Sequence, residues 1–145
     1  MKCKCGQIMR LELRTVMYTH RVVIRHVPVL TCEPCSSYEL TESIKPELKR
    51  CVELLGENPA KTSFSLTDYN EMAHLVYQVF SDAGQSYLGD PELLVETEFR
   101  ERINLLLDLY RYAESLDDTV WVEDIRLRLS QLSSTLPEFN FSSKV

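Results

Sequence analysis

Four of the five cysteines fall in two close pairs, Cys3-Lys4-Cys5 and Cys32-Glu33-Pro34-Cys35, with twenty-six residues between the pairs. Two such pairs flanking a strand-rich stretch are what a zinc ribbon requires. Each pair bites one side of a tetrahedral ion, and a hairpin carries the second pair back to the first. Thiolate ligands favour zinc over magnesium or calcium. Cys3, Cys5, Cys32 and Cys35 are therefore the expected metal ligands, holding one structural zinc per chain. A closed four-cysteine site has no open position for water or substrate. Its binding energy is folding energy, on the order of 10 kcal/mol for structural zinc. Four thiolates leave the site doubly negative, and Lys2, Lys4 and Arg10 are placed to offset this. The Cys3-x-Cys5 half is one residue shorter than the usual knuckle. Alternate side chains of an extended segment point the same way, so a turn at Gly6 is then needed. Three other readings stay open: three cysteines completed by His20 or His26, a redox-active pair, and inert thiols.

The rest of the composition narrows the class. The chain has 145 residues, 44% of them hydrophobic and 26% charged, a mix that excludes a disordered or fibrous protein. The longest apolar stretches, Val27 to Leu30 and Ile103 to Leu107 (interrupted by Asn104), fall far short of a membrane span. Met1-Lys2-Cys3-Lys4-Cys5 has no apolar segment behind it and does not read as a signal peptide. A reducing, cytoplasmic location is expected, where cysteines serve as ligands or buried thiols rather than disulfides. The net charge of -6 is unevenly spread. Residues 1–40 carry six basic and three acidic side chains, and residues 41–145 carry ten basic and nineteen acidic ones.

The same boundary separates two hydrophobic periods. Leu11 and Leu13 alternate with Arg10, Glu12 and Arg14, which predicts a half-buried strand. Arg21 to Arg25 is rich in β-branched residues and predicts a second strand, with Tyr18-Thr19-His20 as the turn. Val29 to Cys32 reads as a short third strand, which Pro28 holds to an edge or a strand start. From Thr41 the period is helical. Ile44, Leu48, Cys51, Val52 and Leu55 mark a first helix, with Ser43 as its cap and Gly56 at its end. A second helix is expected after Ser65 to Asp68, with Leu66, Tyr69, Met72, Ala73, Val76 and Phe80 on its apolar face. Gly84 to Gly89 is a loop, and Asp90-Pro91 starts a third helix running to about Leu116. Its face is Phe99, Ile103, Leu106, Leu107, Tyr110 and Ala113. Asp117 or Asp118 caps a fourth helix with Val122, Ile125, Leu129, Leu132 and Leu136 along its seam, stopped by Pro137 before a tail at Phe139-Asn140-Phe141. The expected fold is α+β: a zinc-ribbon β-hairpin module over 1–40, and a four-helix, mainly antiparallel, acidic bundle over 41–145.

Lys2-Cys3-Lys4-Cys5-Gly6 and Arg21-Val22-Val23-Ile24-Arg25-His26-Val27-Pro28-Val29-Leu30-Thr31-Cys32-Glu33-Pro34-Cys35 resemble the opening and closing segments of the YgiT-type zinc fingers. That family shows a β-branched run, a Val-Pro pair, an apolar residue and then Cys-Glu-x-Cys. It includes the N-terminal zinc domains of MqsA-type antitoxins. The resemblance covers about residues 1–50 and implies a zinc role for Cys3, Cys5, Cys32 and Cys35. In two respects the chain departs from the family. Its first cysteine pair has one residue fewer between its members than the usual two. It also shows no short basic recognition helix after residue 60, where the antitoxins carry a DNA-binding helix-turn-helix.

The remaining candidates read blandly. Cys51 lies on the apolar face of the first helix as a small buried hydrophobe. His74 falls on a polar side, and His20 and His26 fall on or near the hairpin. The carboxylates Glu96, Glu98, Glu101, Asp117, Asp118, Glu123 and Asp124 read as solvated helix faces rather than acid/base pairs. With no nucleophile-base set and no open metal position, the expected function is non-catalytic: a zinc-binding regulatory or adaptor protein acting through a protein partner. A homo-oligomer is compatible with this. The acidic body argues against nucleic acid, and no membrane contact is expected. The alternative is an antitoxin-like or transcription-associated regulator whose ribbon contacts a toxin or nucleic acid.

Overall fold

A computed structural model describes residues 3, 5–18, 20–56, 59–83 and 91–139. The expected loop at 84–89, the Asp90 cap, the tail from Asn140, and Lys2, Lys4 and Thr19 lie outside the described residues. The fold is α+β. Strands β1 (Arg10–Tyr18), β2 (Val22–Cys32) and β3 (Ser37–Leu40) come first, then helix α1 (Ile44–Leu54), a short strand β4 (Thr62–Ser65) and a 3-10 turn (Leu66–Asp68). Helices α2 (Glu71–Ala83), α3 (Pro91–Ser115) and α4 (Thr119–Phe139) follow. No helix among the described residues is long and apolar enough to cross a membrane.

Strand β2 is the centre of the sheet. It pairs antiparallel with β1 on one edge. On the other edge, β3 pairs antiparallel with Val29–Cys32, and β4 pairs parallel with Val22–Arg25. The two strands expected at 21–25 and 29–32 are thus one strand. A bulge joins them: Arg14 lies opposite Val27 but Val16 opposite Ile24, so Arg25 and His26 face the single residue Thr15. His26 takes φ +60°, a left-handed conformation that bulges use. The extra residue flips the side-chain alternation, so Val22, Ile24, Val27 and Val29 all join one buried cluster. Leu30 and Cys32 join the other. Pro28 sits inside this strand rather than at its start. β4 and β3 leave residues 26–28 without a strand partner on their shared edge, so a missing N–H costs no ladder bond there.

The helices depart from expectation in detail. Ser43 makes no side-chain cap bond, and the Thr41 carbonyl instead accepts from Ile44 and Lys45 N–H. The segment expected to open the second helix is β4 and the 3-10 turn, with Ser65 Oγ accepting from Thr67 N–H at 3.2 Å. Helix α2 begins later, where Asn70 Oδ1 accepts from Ala73 N–H at 2.9 Å. Tyr69 and Leu107, expected on apolar faces, are exposed. Between α3 and α4, Asp117 at φ +54° closes the first helix in a left-handed cap, and Asp118 Oδ1 accepts from Trp121 N–H to start the second. Helix α4 runs past Pro137 to Phe139.

Two buried clusters hold the molecule. The first joins Met9, Leu11, Leu30 and Cys32 to Met72, Leu75, Val76 and Val79 of α2, to Val95, Phe99, Leu106 and Ala113 of α3, and to Ile125 and Leu132 of α4. The second joins Val22, Ile24, Val27 and Val29 to Ile44, Leu48 and Cys51 of α1, and to Leu66 and Ala73. Helices α2, α3 and α4 pack on one another, while the buried face of α1 belongs with β2. Residues before and after position 40 share both clusters.

Candidate metal centre

The two cysteine pairs sit on two turns. At the start of the chain the Gly6 N–H donates to the Cys3 carbonyl at 2.9 Å, and the Cys3 N–H donates to the Gln7 carbonyl at 2.8 Å. Gly6 takes φ +91°, which a residue with a Cβ rarely adopts. This is the turn that the short Cys3-x-Cys5 spacing demands. The second pair occupies the β2–β3 connection. Cys32 ends β2, and the Ser36 N–H donates to the Glu33 carbonyl at 3.2 Å, with Ser36 at φ +54°.

Antiparallel pairing of β1 with β2 brings these turns together. The Sγ atoms of Cys3, Cys5, Cys32 and Cys35 all lie within 4.8 Å of one another and could hold a metal ion. Cys5 and Cys32 are 3.5 Å apart, and Cys3 and Cys35 are 3.8 Å apart. A disulfide needs about 2.05 Å, and all five cysteines are free thiols. Cys32 is buried, Cys3 is half-buried against the first cluster, and Cys5 and Cys35 are exposed.

Crowding divides the thiols electrostatically. A backbone hydrogen bond at Gln7, then side-chain bonds from Cys35 and Cys32, lower Cys5 to about 7. The Cys5, Cys3 and Cys32 sulfurs push Cys35 up to about 12. Cys32 accepts a backbone hydrogen bond from Cys35 that favours its thiolate, yet burial and the Cys5 and Cys3 sulfurs carry the net shift upward. Of the cations expected to offset charge here, Arg10 lies 3.9 Å from Glu33 in an exposed pair at the second turn.

The histidines lie elsewhere. His20 is in the turn at the opposite end of the β1–β2 pair. His26 is held by Ser65 Oγ at 2.8 Å from its Nδ1 and by the Tyr77 ring, centroid to centroid 4.4 Å. His74 is exposed on α2. Cys51 is buried as expected, and burial raises its thiol pKa.

One polar group was missed by sequence reasoning. Glu71, at the start of α2, accepts from Arg102 Nη1 of α3 at 2.6 Å and from Arg128 Nε of α4 at 2.8 Å. Gln131 Oε1 accepts from the Glu71 N–H at 2.8 Å. Glu71, Arg102 and Gln131 are all buried. The available signal was the spacing of Val95, Phe99, Arg102 and Leu106, which puts Arg102 on the buried stripe of α3.

Comparisons with protein-family models, with curated proteins and with solved structures find no match for this chain.

Proposed function

We propose that the chain is a non-catalytic zinc protein of regulatory or adaptor type, which acts by binding another protein. The observation that carries this reading is the sulfur geometry. A tetrahedral site with Zn–S of about 2.3 Å has sulfur–sulfur edges of about 3.8 Å. The cross-turn pairs stand 3.5 and 3.8 Å apart. An all-thiolate donor set suits zinc, and four protein ligands leave no position for substrate. The likeness of Lys2 to Gly6 and Arg21 to Cys35 to YgiT-type zinc fingers points the same way. The cysteine turns are flanked by Ile8 and Tyr38, 73% and 53% exposed, which are suitable anchors for a protein partner.

Native mass spectrometry tests the metal: one zinc per chain is expected. A metal-free chain that remains fully folded overturns the reading. Capture from cell lysate tests the partner. Wild type should retain a protein that the Ile8→Ser/Tyr38→Ser double variant loses, with zinc content unchanged. Duplex DNA should bind no tighter than roughly the micromolar range at physiological salt. Nanomolar, salt-tolerant, sequence-selective binding would replace the adaptor reading with an antitoxin-like regulator.

A further inference from the structure

We propose that the four-cysteine cluster is a peroxide-responsive switch, in which oxidation across the two turns releases the metal. This rests on the zinc reading above and gives the site a regulatory role beyond a fixed structural one. The support is an asymmetry in the cluster. Each close pair joins an exposed cysteine to a less exposed one: exposed Cys5 stands 3.5 Å from buried Cys32, and exposed Cys35 stands 3.8 Å from half-buried Cys3. The thiolate of an exposed cysteine meets the oxidant, and the less exposed partner is already beside it to resolve the product. All four donors are cysteines, and among the described residues no histidine or carboxylate belongs to the cluster to keep hold of the ion once two thiolates are consumed.

The chemistry balances with hydrogen peroxide as oxidant. The Cys5 thiolate attacks one peroxide oxygen, the O–O bond breaks, and Cys5 becomes a sulfenic acid as hydroxide leaves. The Cys32 thiolate then attacks the Cys5 sulfur and expels a second hydroxide, forming the disulfide. Two thiolates are oxidised by two electrons in total, and the peroxide is reduced. Cys35 and Cys3 are equally placed for the same sequence. Either product ties the chain start to the β2–β3 turn, so the turns stay together while the ion is lost. Ile8 and Tyr38 flank these turns, which puts the oxidised site beside the proposed partner surface.

The experiment uses the full chain, with zinc content measured first. Hydrogen peroxide is added stepwise, released zinc is read with a chromogenic chelator, and disulfides are mapped by peptide mass spectrometry without reduction. The expected result is release of the bound zinc with loss of two thiols per chain, and a Cys5–Cys32 or Cys3–Cys35 cross-link. Dithiothreitol with added zinc should reverse it. Met17, 64% exposed on β1, is an internal dosimeter, and buried Cys51 should stay a free thiol. A loaded chain that keeps its zinc while Met17 becomes sulfoxide overturns the switch and leaves the zinc reading intact. Zinc release with only the Cys32–Cys35 disulfide also overturns the cross-turn mechanism. A chain that takes up no zinc overturns both.

Discussion

Glu71 ties three helices together through one carboxylate. Arg102 and Arg128 reach it from α3 and α4, and Arg102 is also 3.6 Å from Glu98 and bonded to Gln78 at 2.6 Å. Burial alone would raise the Glu71 pKa, but hydrogen bonds from Arg128 and Arg102 more than reverse this and hold it below 4.5. Glu71→Gln keeps the shape and removes the charge, leaving Arg102 buried with a weakened counter-charge. The expected loss is about 3 kcal/mol at neutral pH, read from urea midpoints. A depressed folded pKa means the stabilisation is present above 4.5 and is lost as pH falls through the lower folded value. The gap between wild type and Glu71→Gln should therefore close as pH drops below 4.5. A gap that stays constant down to pH 3 would show that it does not come from the carboxylate's charge. The four-cysteine cluster was legible because its spacing has few other uses. Glu71 was not, because an isolated glutamate at a helix start looks the same whether solvated or buried. Only the three-dimensional meeting of α2, α3 and α4 distinguishes the cases.

At the scale of elements, the central strand shows what a period-2 reading can and cannot see. Both halves of β2 are apolar and β-branched, so both were legible. Their union was not, because the alternation changes phase at Arg25-His26 and Pro28 follows. The bulge supplies the phase change, and His26 is fixed by Ser65 on the β4 side and Tyr77 of α2. Strands β3 and β4 were missed for a different reason. Each has four residues, mostly polar or partly exposed, and each is a strand because β2 offers an edge. The bulge makes a paired prediction. His26→Ala loses the side-chain contacts and keeps the cost of φ +60°. His26→Gly loses the same contacts and relieves that cost. The glycine variant should be the more stable of the two by about 1 kcal/mol, measured by chemical denaturation. Equal stabilities would mean that the segment relaxes out of the left-handed conformation.

For the whole molecule, the question is whether the sheet and the helices can part company. The change of period and charge at position 41 suggested separable modules. The packing joins them: β4 comes from after that position and pairs with β2, and both buried clusters draw on both sides. The charge split was real in the sequence, but surface charge does not report where buried faces meet. Cutting at 41 would leave β4 without β2, and strip Ile44, Leu48 and Leu66 of the strand residues that bury them. It would also take Leu11, Leu30 and Cys32 from α2 and its neighbours. A fragment spanning 41–145 should therefore be markedly less stable than the full chain, and its α1 and α2 should lose helicity first, since α3 and α4 retain each other. On the proposed zinc reading, removing metal from the intact chain acts on the same core from its other end, because Cys32 lies in the first cluster and Cys3 packs against it. Chelation should lower the thermal midpoint, with sheet and helix signals falling in one transition by circular dichroism. Two separated transitions, or a 41–145 fragment as stable as the whole, would restore the picture of independent modules.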